Sequence, residues 1–582
     1  MKLLQNQTYT QHISMTKKKF HNIAHCWAYL IVEELARLQI NHVCIAPGSR
    51  STLLINEFSQ RQDIQCYSHF DERSLGFFAL GLAKGLLKPV AILTTSGTAV
   101  ANLLPSIIEA KHAHIPLLIL TTDRPFELHD CGANQTMDQM SLFSAYVNKQ
   151  YLIPPATTDI SPEWLLATCD EAVQALEFPQ KGPIQLNFMI REPFFNQLTS
   201  FNTYLHSISE WENSNMPFKL LSSTSITPKH NHLPPSLNNC IAVIADIESS
   251  DIAHSIYEFC NHHDIPMFTE CHSKLFGKSH TYQLIDAMSH ELIKDSYIPE
   301  FILFFGDHLI SKSCAELIKK SPHTLHITEH LDNADPLHHC TYVLRGSITN
   351  TLNQLSKLNI SIDESFKTKL SNIYRSLQHA ISSASLKKLS EITVLQTLFS
   401  SSNSKDRLFF IANSLPIRVL NHNIIPESQS IIYSNRGLSG IDGNLATAIG
   451  IAQATQKELI IIIGDISFLY DAMSLTLLQQ LKLPLKICLL NNQGGQIFTT
   501  LPAQQHSPSL APYFTTPHHL SMENLCNFFK LTYMQIENDD ISLTESIKSF
   551  YKEKQSILFE YKFNISQTKQ HLSLLFNTYP QK

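Results

Sequence analysis

Long apolar runs are missing from this chain. Leu459–Ile463 stops at Gly464-Asp465 and Phe301–Phe305 stops at Gly306-Asp307, far short of the roughly 20 apolar residues a membrane-spanning helix needs. A surplus of basic charge is missing too: the net charge is −6, which excludes a broad field for nucleic acid or anionic lipid. Charged residues make up only 16% against 43% hydrophobic, so the composition is globular rather than disordered. Twelve cysteines are scattered without one Cys-x-x-Cys pair. That pattern suits reduced thiols in a cytosol and argues against a disulfide framework or zinc ribbon. Lys17-Lys18-Lys19 precedes a partly apolar stretch, but Glu33, Glu34 and Arg37 interrupt it at helical spacing and no small-residue cleavage site follows. It reads as the first amphipathic helix of a cytosolic protein, with residues 1–18 as an extension outside the fold. His338-His339-Cys340 has metal-ligand chemistry. Neighbours on an extended segment point to opposite faces, however, so these are read as ordinary interdomain histidines.

What is present is alternation. Runs rich in Ile, Val and Leu at His42–Ala46, Val90–Thr94, Leu117–Thr121, Ile241–Ala245, Phe301–Phe305, Leu459–Ile463 and Lys486–Leu490 alternate with helical patterns. Such alternation predicts an α/β fold with buried parallel strands. Two stretches break it: a Pro/Ser/Asn-rich one from Ser222 to Asn239, and a Ser-rich one near Ile381–Leu389. They divide the 582 residues into three α/β domains, 19–215, 216–380 and 381–582, where length alone suggests about four. The outer two echo each other. Gly81-Leu82-Ala83, a strand, a helix and Ile115-Pro116-Leu117 recur as Gly450-Ile451-Ala452, a strand, a helix and Leu483-Pro484-Leu485.

The strongest local signal is Gly464-Asp465-Ile466-Ser467 followed, one helix later, by Asn491-Asn492-Gln493-Gly494-Gly495. Each end follows a parallel-strand candidate, and ligands of open α/β sheets gather at the carboxyl ends of strands. Gly-Asp alone would be an ordinary strand-end turn. Paired with Asn-Asn at this spacing, it offers a carboxylate, an amide oxygen and a backbone carbonyl in the Gly494 turn. Mg²⁺ (or Mn²⁺) prefers such hard oxygen ligands when it shares its shell with a diphosphate. Gly494 and Gly495 let the backbone approach that ligand closely.

This pattern resembles the metal-diphosphate motif of thiamine-diphosphate enzymes, with Ile466 where the family usually has a second glycine. The resemblance implies a pyrimidine-binding domain, a middle domain and a diphosphate-binding domain, in that order. It also implies a catalytic glutamate in the first. Glu72, in Phe70-Asp71-Glu72-Arg73-Ser74, matches that position, after a strand candidate Ile64–Tyr67 and at the opening of a helix Ser74–Lys84. A carboxylate there is also an ordinary helix cap. In the family's chemistry Glu72 would share a proton with the aminopyrimidine and so assist activation of the thiazolium carbon. Ile441, in Ser439-Gly440-Ile441-Asp442-Gly443, matches the large apolar residue that holds the cofactor bent.

Longer stretches narrow the resemblance. They are Ala46-Pro47-Gly48-Ser49-Arg50-Ser51, Thr94-Thr95-Ser96-Gly97-Thr98-Ala99, Asp123-Arg124-Pro125, Asp130-Cys131-Gly132-Ala133-Asn134-Gln135, Tyr433-Ser434-Asn435-Arg436-Gly437 and Asn492-Gln493-Gly494-Gly495-Gln496-Ile497-Phe498. Together they resemble the 2-succinyl-5-enolpyruvyl-6-hydroxy-3-cyclohexene-1-carboxylate synthase family of menaquinone biosynthesis, from about residue 20 to the C-terminus. Asp335-Pro336-Leu337-His338-His339 also fits, in the middle domain. The family decarboxylates 2-oxoglutarate and adds the succinyl unit to isochorismate, in a homo-oligomer whose active sites lie between subunits. Both substrates are dicarboxylates, which arginine's planar fork suits. By resemblance the substrate residues are Ser49, Arg50, Arg124, Gln135, Lys312, Ser414, Arg418 and Arg436. Ser414 and Arg418 are one helical turn apart and can face one ligand. The family often has an arginine after the middle-domain lysine, where this chain has Ser313. One substrate-facing cation is therefore missing, or Lys319 or Lys320 replaces it. Two other readings stay open: a carboligase of the acetohydroxyacid synthase type, which the arginine-rich set disfavours, and a non-catalytic nucleotide-binding descendant, which Glu72, Asp465 and Asn492 disfavour.

Overall fold

In this computed structural model the main apolar runs form strands, twenty strands being present among the described residues. It describes residues 18–221, 233–332, 335–383, 390–401, 407–500, 507–537, 540–563 and 566. The chain forms two compact units, Met1–Ser223 and Thr224–Lys582. The fold is α/β, and every sheet is parallel.

The first unit holds β1 (His42–Ile45), β2 (Gln65–Ser68), β3 (Val90–Thr94), β4 (Leu117–Asp123), β5 (Lys149–Ile153) and β6 (Ile184–Met189), ordered β2-β1-β3-β4-β6-β5. β3, β4 and β6 are buried at every position, as strands covered by helices on both faces must be. Val90 pairs with Leu117 and Ile92 with Ile119, so apolar side chains stack across the sheet. The helix Ile23–Arg37 starts at Asn22, whose side chain accepts the N–H of His25.

The charged residues of that first helix do not form a solvent face. Glu33 and Glu34 are both buried. Glu33 accepts from Arg37 at 2.8 Å and pairs with Arg61. Glu34 accepts from the indole of Trp211 and the backbone N–H of Phe218, each at 2.6 Å. Buried carboxylates are tolerated when they are paired in this way. Lys18 also belongs to the fold: its ammonium lies 3.5 Å from the centre of the Tyr29 ring and pairs with Glu57. The rest of the expected extension, residues 1–17, lies outside the described residues.

The second unit opens with β7 (Ser236–Asn238), inside the stretch read from sequence as a break. β8 (Cys240–Ile244), β9 (Met267–Thr269), β10 (Thr281–Tyr282), β11 (Phe301–Phe305), β12 (His323–Thr328) and β13 (Tyr342–Arg345) form a sheet ordered β10-β9-β8-β11-β12-β13. β14 (Asn359–Ser361) pairs with β7. The last sheet comprises β15 (Leu408–Ile411), β16 (Ile431–Tyr433), β17 (Leu459–Gly464), β18 (Lys486–Asn491), β19 (Thr532–Glu537) and β20 (Ile557–Lys562), ordered β16-β15-β17-β18-β20-β19. Its strand sequence repeats that of the first sheet, which is the structural form of the internal echo. Most of the Ser-rich break, residues 384–389, lies outside the described residues. No described helix is long and apolar enough to cross a membrane.

Candidate active site

In the first unit the sequence-predicted residues gather at the carboxyl edge of the sheet, where open α/β sheets bind ligands. Arg50 follows β1, Glu72 follows β2, and Arg124 follows β4. Asp71, not Glu72, caps the helix Glu72–Leu86, accepting the N–H groups of Arg73 and Ser74. This excludes the capping role and leaves the Glu72 carboxylate, half-buried, with no hydrogen bond or ion pair among the described residues. Arg50 is buried, donates to the Ile190 carbonyl at 2.9 Å and pairs with Glu192. Arg124 donates to the Gln135 carbonyl at 3.1 Å. Burial, then the neighbouring Arg50, holds Arg124 below its ordinary value. Ser49 is exposed at the head of the short helix Ser49–Ser51.

Sequence reasoning missed what fixes this edge. Gln139, buried, accepts the N–H of Gly97 at 2.9 Å and donates to Asn187 at 2.8 Å. Asn187 in turn accepts from Thr121 and donates to Asp123. This satisfied polar ladder holds the Gly97 turn and the Arg124 loop in one arrangement. Gly97 has φ +77°, which favours glycine, and an added Cβ would also press on Gln135 at 3.3 Å.

In the second unit, Ser414 follows β15, Arg436 follows β16, Asp465 follows β17 and Asn492 follows β18. Asp465 is buried and accepts the N–H of Gly494 at 2.7 Å and of Ile466 at 2.8 Å. His518, which sequence reasoning did not single out, places Nε2 at 3.1 Å from the same carboxylate. Burial raises the Asp465 carboxyl above its ordinary value, against the pull of Gly494, Ile466 and His518. The two adjacent asparagines diverge, as successive strand residues do. Asn491 donates to Glu560 at 2.5 Å, while the Asn492 side-chain oxygen is buried without a hydrogen-bond partner. Gly494 has φ +141°, and an added Cβ would lie 2.4 Å from the Thr515 carbonyl. A buried carboxylate, an orphaned amide oxygen and a turn that only glycine fits form a hard oxygen donor set of the kind Mg²⁺ takes.

Asn413 is the second unforeseen residue. Its side chain donates at 2.7 Å to the carbonyls of both Asn435 and Gly440, and it accepts from Arg436 at 2.9 Å. The Ile441 loop is further tied down by Ser467, whose hydroxyl donates to the Ile441 carbonyl at 2.6 Å. Ile441 itself is 37% exposed, so its side chain is free to meet a ligand. Ser414 adopts φ +75° and ψ −129°, a region that disfavours residues other than glycine.

The cations of this unit converge. Lys312 opens the helix Lys312–Lys320 after β11, and with Arg436 it lines a cavity of about 410 Å³ walled by Phe304, Leu309, Leu337 and Leu438. Arg418 donates to the Ser414 carbonyl at 2.7 Å. Burial, then Arg436, lowers Arg418 from its ordinary value, and His422 is lowered by burial with Arg418 and Lys312 among its neighbours. Lys312, Arg418 and Arg436 form no ion pair with a carboxylate among the described residues. The expectation that Lys319 or Lys320 stands in for the family arginine is corrected: both lie in the last turn of the helix that Lys312 opens, and Lys319 pairs with Glu316. At 1.5 Å per residue they are about 10 Å further along the axis. In the stretch read as ordinary histidines, His339 bonds the Ser321 carbonyl at 3.0 Å.

Residues 27–142 match the family model "Thiamine pyrophosphate enzyme, N-terminal TPP binding domain", and residues 418–561 match "Thiamine pyrophosphate enzyme, C-terminal TPP binding domain". Both matched segments are therefore domains of a thiamine-diphosphate enzyme. The chain is 36% identical to the 2-succinyl-5-enolpyruvyl-6-hydroxy-3-cyclohexene-1-carboxylate synthase of Psychromonas ingrahamii, with 96% of each chain covered. It is 34% identical to the synthase of Shewanella sediminis and 33% identical to that of Chlorobium phaeobacteroides, in both cases over 90% of this chain and 92% of the relative. The chain belongs to the 2-succinyl-5-enolpyruvyl-6-hydroxy-3-cyclohexene-1-carboxylate synthase family.

Proposed function

We propose that this chain decarboxylates 2-oxoglutarate and transfers the succinyl unit to isochorismate, using thiamine diphosphate and Mg²⁺ or Mn²⁺. The observation that carries the substrate class is the group of three cations, Lys312, Arg418 and Arg436, without an ion-paired carboxylate among the described residues. Like charges are held together at a cost unless an anion joins them. Both substrates bring two carboxylates, whereas small apolar keto acids bring one and need no such group. Ser414, with its backbone held at φ +75°, is tied to Arg418, whose guanidinium donates to the Ser414 carbonyl at 2.7 Å. Ser49, Arg50, Arg124 and Gln135 form the corresponding set in the first domain.

In this reading residues 19–215 bind the pyrimidine, 216–380 form the middle domain and 381–582 bind the diphosphate. Asp465, Asn492 and a carbonyl of the Gly494 turn would hold the metal, Gly494 and Gly495 would admit the diphosphate, and Ile441 would support the rings. When bound, the cofactor supplies an electron sink for the carbanion equivalent left by decarboxylation. Glu72 would hold a proton against the pyrimidine. The arginines would orient the carboxylates and offset their charge. The smallest active unit is a dimer, within a homo-oligomer that is a dimer or a tetramer, in the cytoplasm. Carbon dioxide release from 2-oxoglutarate, with and without isochorismate and beside a pyruvate control, tests the reading. Turnover of pyruvate in preference to 2-oxoglutarate would overturn it in favour of a different carboligase.

A further inference from the structure

Lys312 is flanked by residues that two buried carboxylates grip from different directions. Glu270, just beyond β9, is fully buried, and both its oxygens accept the N–H of Ile310, at 2.9 and 2.8 Å. One of them also accepts the N–H of Ser311 at 2.8 Å. Asp286, on the helix Ile285–Lys294, takes the Ser311 hydroxyl at 2.6 Å and the Ser313 N–H at 3.0 Å. The segment on each side of Lys312 is thereby fixed, while the Lys312 side chain stays exposed.

The helix start does not by itself require this. Ser311 already caps it by accepting the N–H of Cys314 at 3.0 Å. Burying two further carboxylates is costly unless their charge is used. Both lie in the field of the candidate substrate cations. Burial raises the Glu270 carboxyl to about 7, against the pull of the Ser311 and Ile310 N–H groups and of Arg436, and His422, next to Arg418 and Lys312, faces Asp286 at 3.8 Å.

We infer that Glu270 and Asp286 are positioning residues that together fix where the Lys312 ammonium meets a substrate carboxylate. The inference rests on the substrate reading of Lys312 given above. Neither carboxylate touches substrate. Each sets the path of the backbone that carries the lysine.

The experiment compares Lys312→Ala, Glu270→Gln and Asp286→Asn in the full chain with thiamine diphosphate and Mg²⁺ present. KM and kcat for both substrates are measured beside melting temperature and cofactor Kd. Lys312→Ala should raise KM for one dicarboxylate. Glu270→Gln should raise KM for that same substrate by ~10-fold, the size expected for a disturbed charge-assisted hydrogen bond. kcat should stay within about threefold and cofactor Kd should not move, since no cofactor contact is touched. A purely structural role would lower melting temperature and active fraction and leave KM unchanged. That result in Glu270→Gln, with KM raised in Lys312→Ala, overturns the inference alone. An unchanged KM in Lys312→Ala overturns the substrate reading and the inference with it. If Glu270→Gln does not fold, Asp286→Asn carries the same expectation and the same refutation.

Discussion

The sharpest test of the metal assignment is a pair of substitutions at Asp465, because the structure lets stability and cofactor binding be separated. The carboxylate is 2% exposed and accepts the N–H of Gly494 at 2.7 Å and of Ile466 at 2.8 Å. Asp465→Ala removes both acceptors and leaves the buried Gly494 N–H unpaired, at a cost of about 1–3 kcal/mol in stability. Asp465→Asn keeps one acceptor oxygen, for Gly494, and loses the charge and the acceptor that serves Ile466, so its melting temperature should fall less than that of Asp465→Ala. A divalent ion facing a diphosphate needs that charge. Both variants should therefore bind thiamine diphosphate with Mg²⁺ at least about 100-fold more weakly, or ~2.8 kcal/mol at 1.4 kcal/mol per factor of ten. Calorimetric titration with cofactor and metal together, beside thermal melts without either, reads both quantities. An Asp465→Asn chain that binds cofactor as tightly as the unsubstituted one would refute the assignment, whatever its stability.

Three further outcomes follow from the same geometry. Glu72→Gln keeps the shape but cannot hold a proton as a carboxylate does. Turnover should fall by about 10²–10⁴-fold, the usual worth of acid–base assistance, with hydrogen–deuterium exchange at the thiazolium carbon slowed in step; unchanged exchange would count against it. Mixed Glu72→Gln and Asp465→Ala chains should regain activity after subunit exchange if two copies complete one site, and demonstrated heterodimers without activity would argue otherwise. Burial raises the Glu33 carboxyl, but Arg37 and Arg61 outweigh it and leave it below its ordinary value. Its contribution to stability is then present above the unfolded-state value and lost as pH falls through the folded one. Glu33→Gln should melt below the unsubstituted chain at pH 7, and the gap should close towards pH 3.

Strand positions were legible because parallel strands buried on both faces must be continuously apolar. β3 and β11 have the expected bounds, and β17 and β18 each extend one residue further. Asp465 and Asn492 each directly follow such a strand, which made their positions at a carboxyl edge readable from sequence. What could not be read is long-range polar pairing. Nothing near Glu33 and Glu34 announces that their partners include Arg61, Trp211 and Phe218, so a buried helix looked amphipathic. Glu270 sits in Thr269-Glu270-Cys271, without a motif, and its partners lie some 40 residues on. Asn413 and Gln139 are ordinary asparagine and glutamine in sequence. Their importance comes from loops that the fold brings to them.

Many of the candidate residues share one physical situation. They stand on the segments that follow strands, and the backbone there is held by buried side chains. Asn413 holds the Arg436 and Ile441 loops, Gln139 holds the Gly97 turn, and Glu270 holds the segment before Lys312. Positive backbone angles at Ser414, Gln135 and Gly494 mark the same places. Such conformations cost of order 1–3 kcal/mol at residues other than glycine, so Ser414 and Gln135 persist only where their surroundings fix them. A cofactor that does its own bond-making asks the protein chiefly for fixed charges and fixed geometry. Buried amides and carboxylates behind the strand ends provide both, and substitutions there should therefore alter binding before they alter the fold.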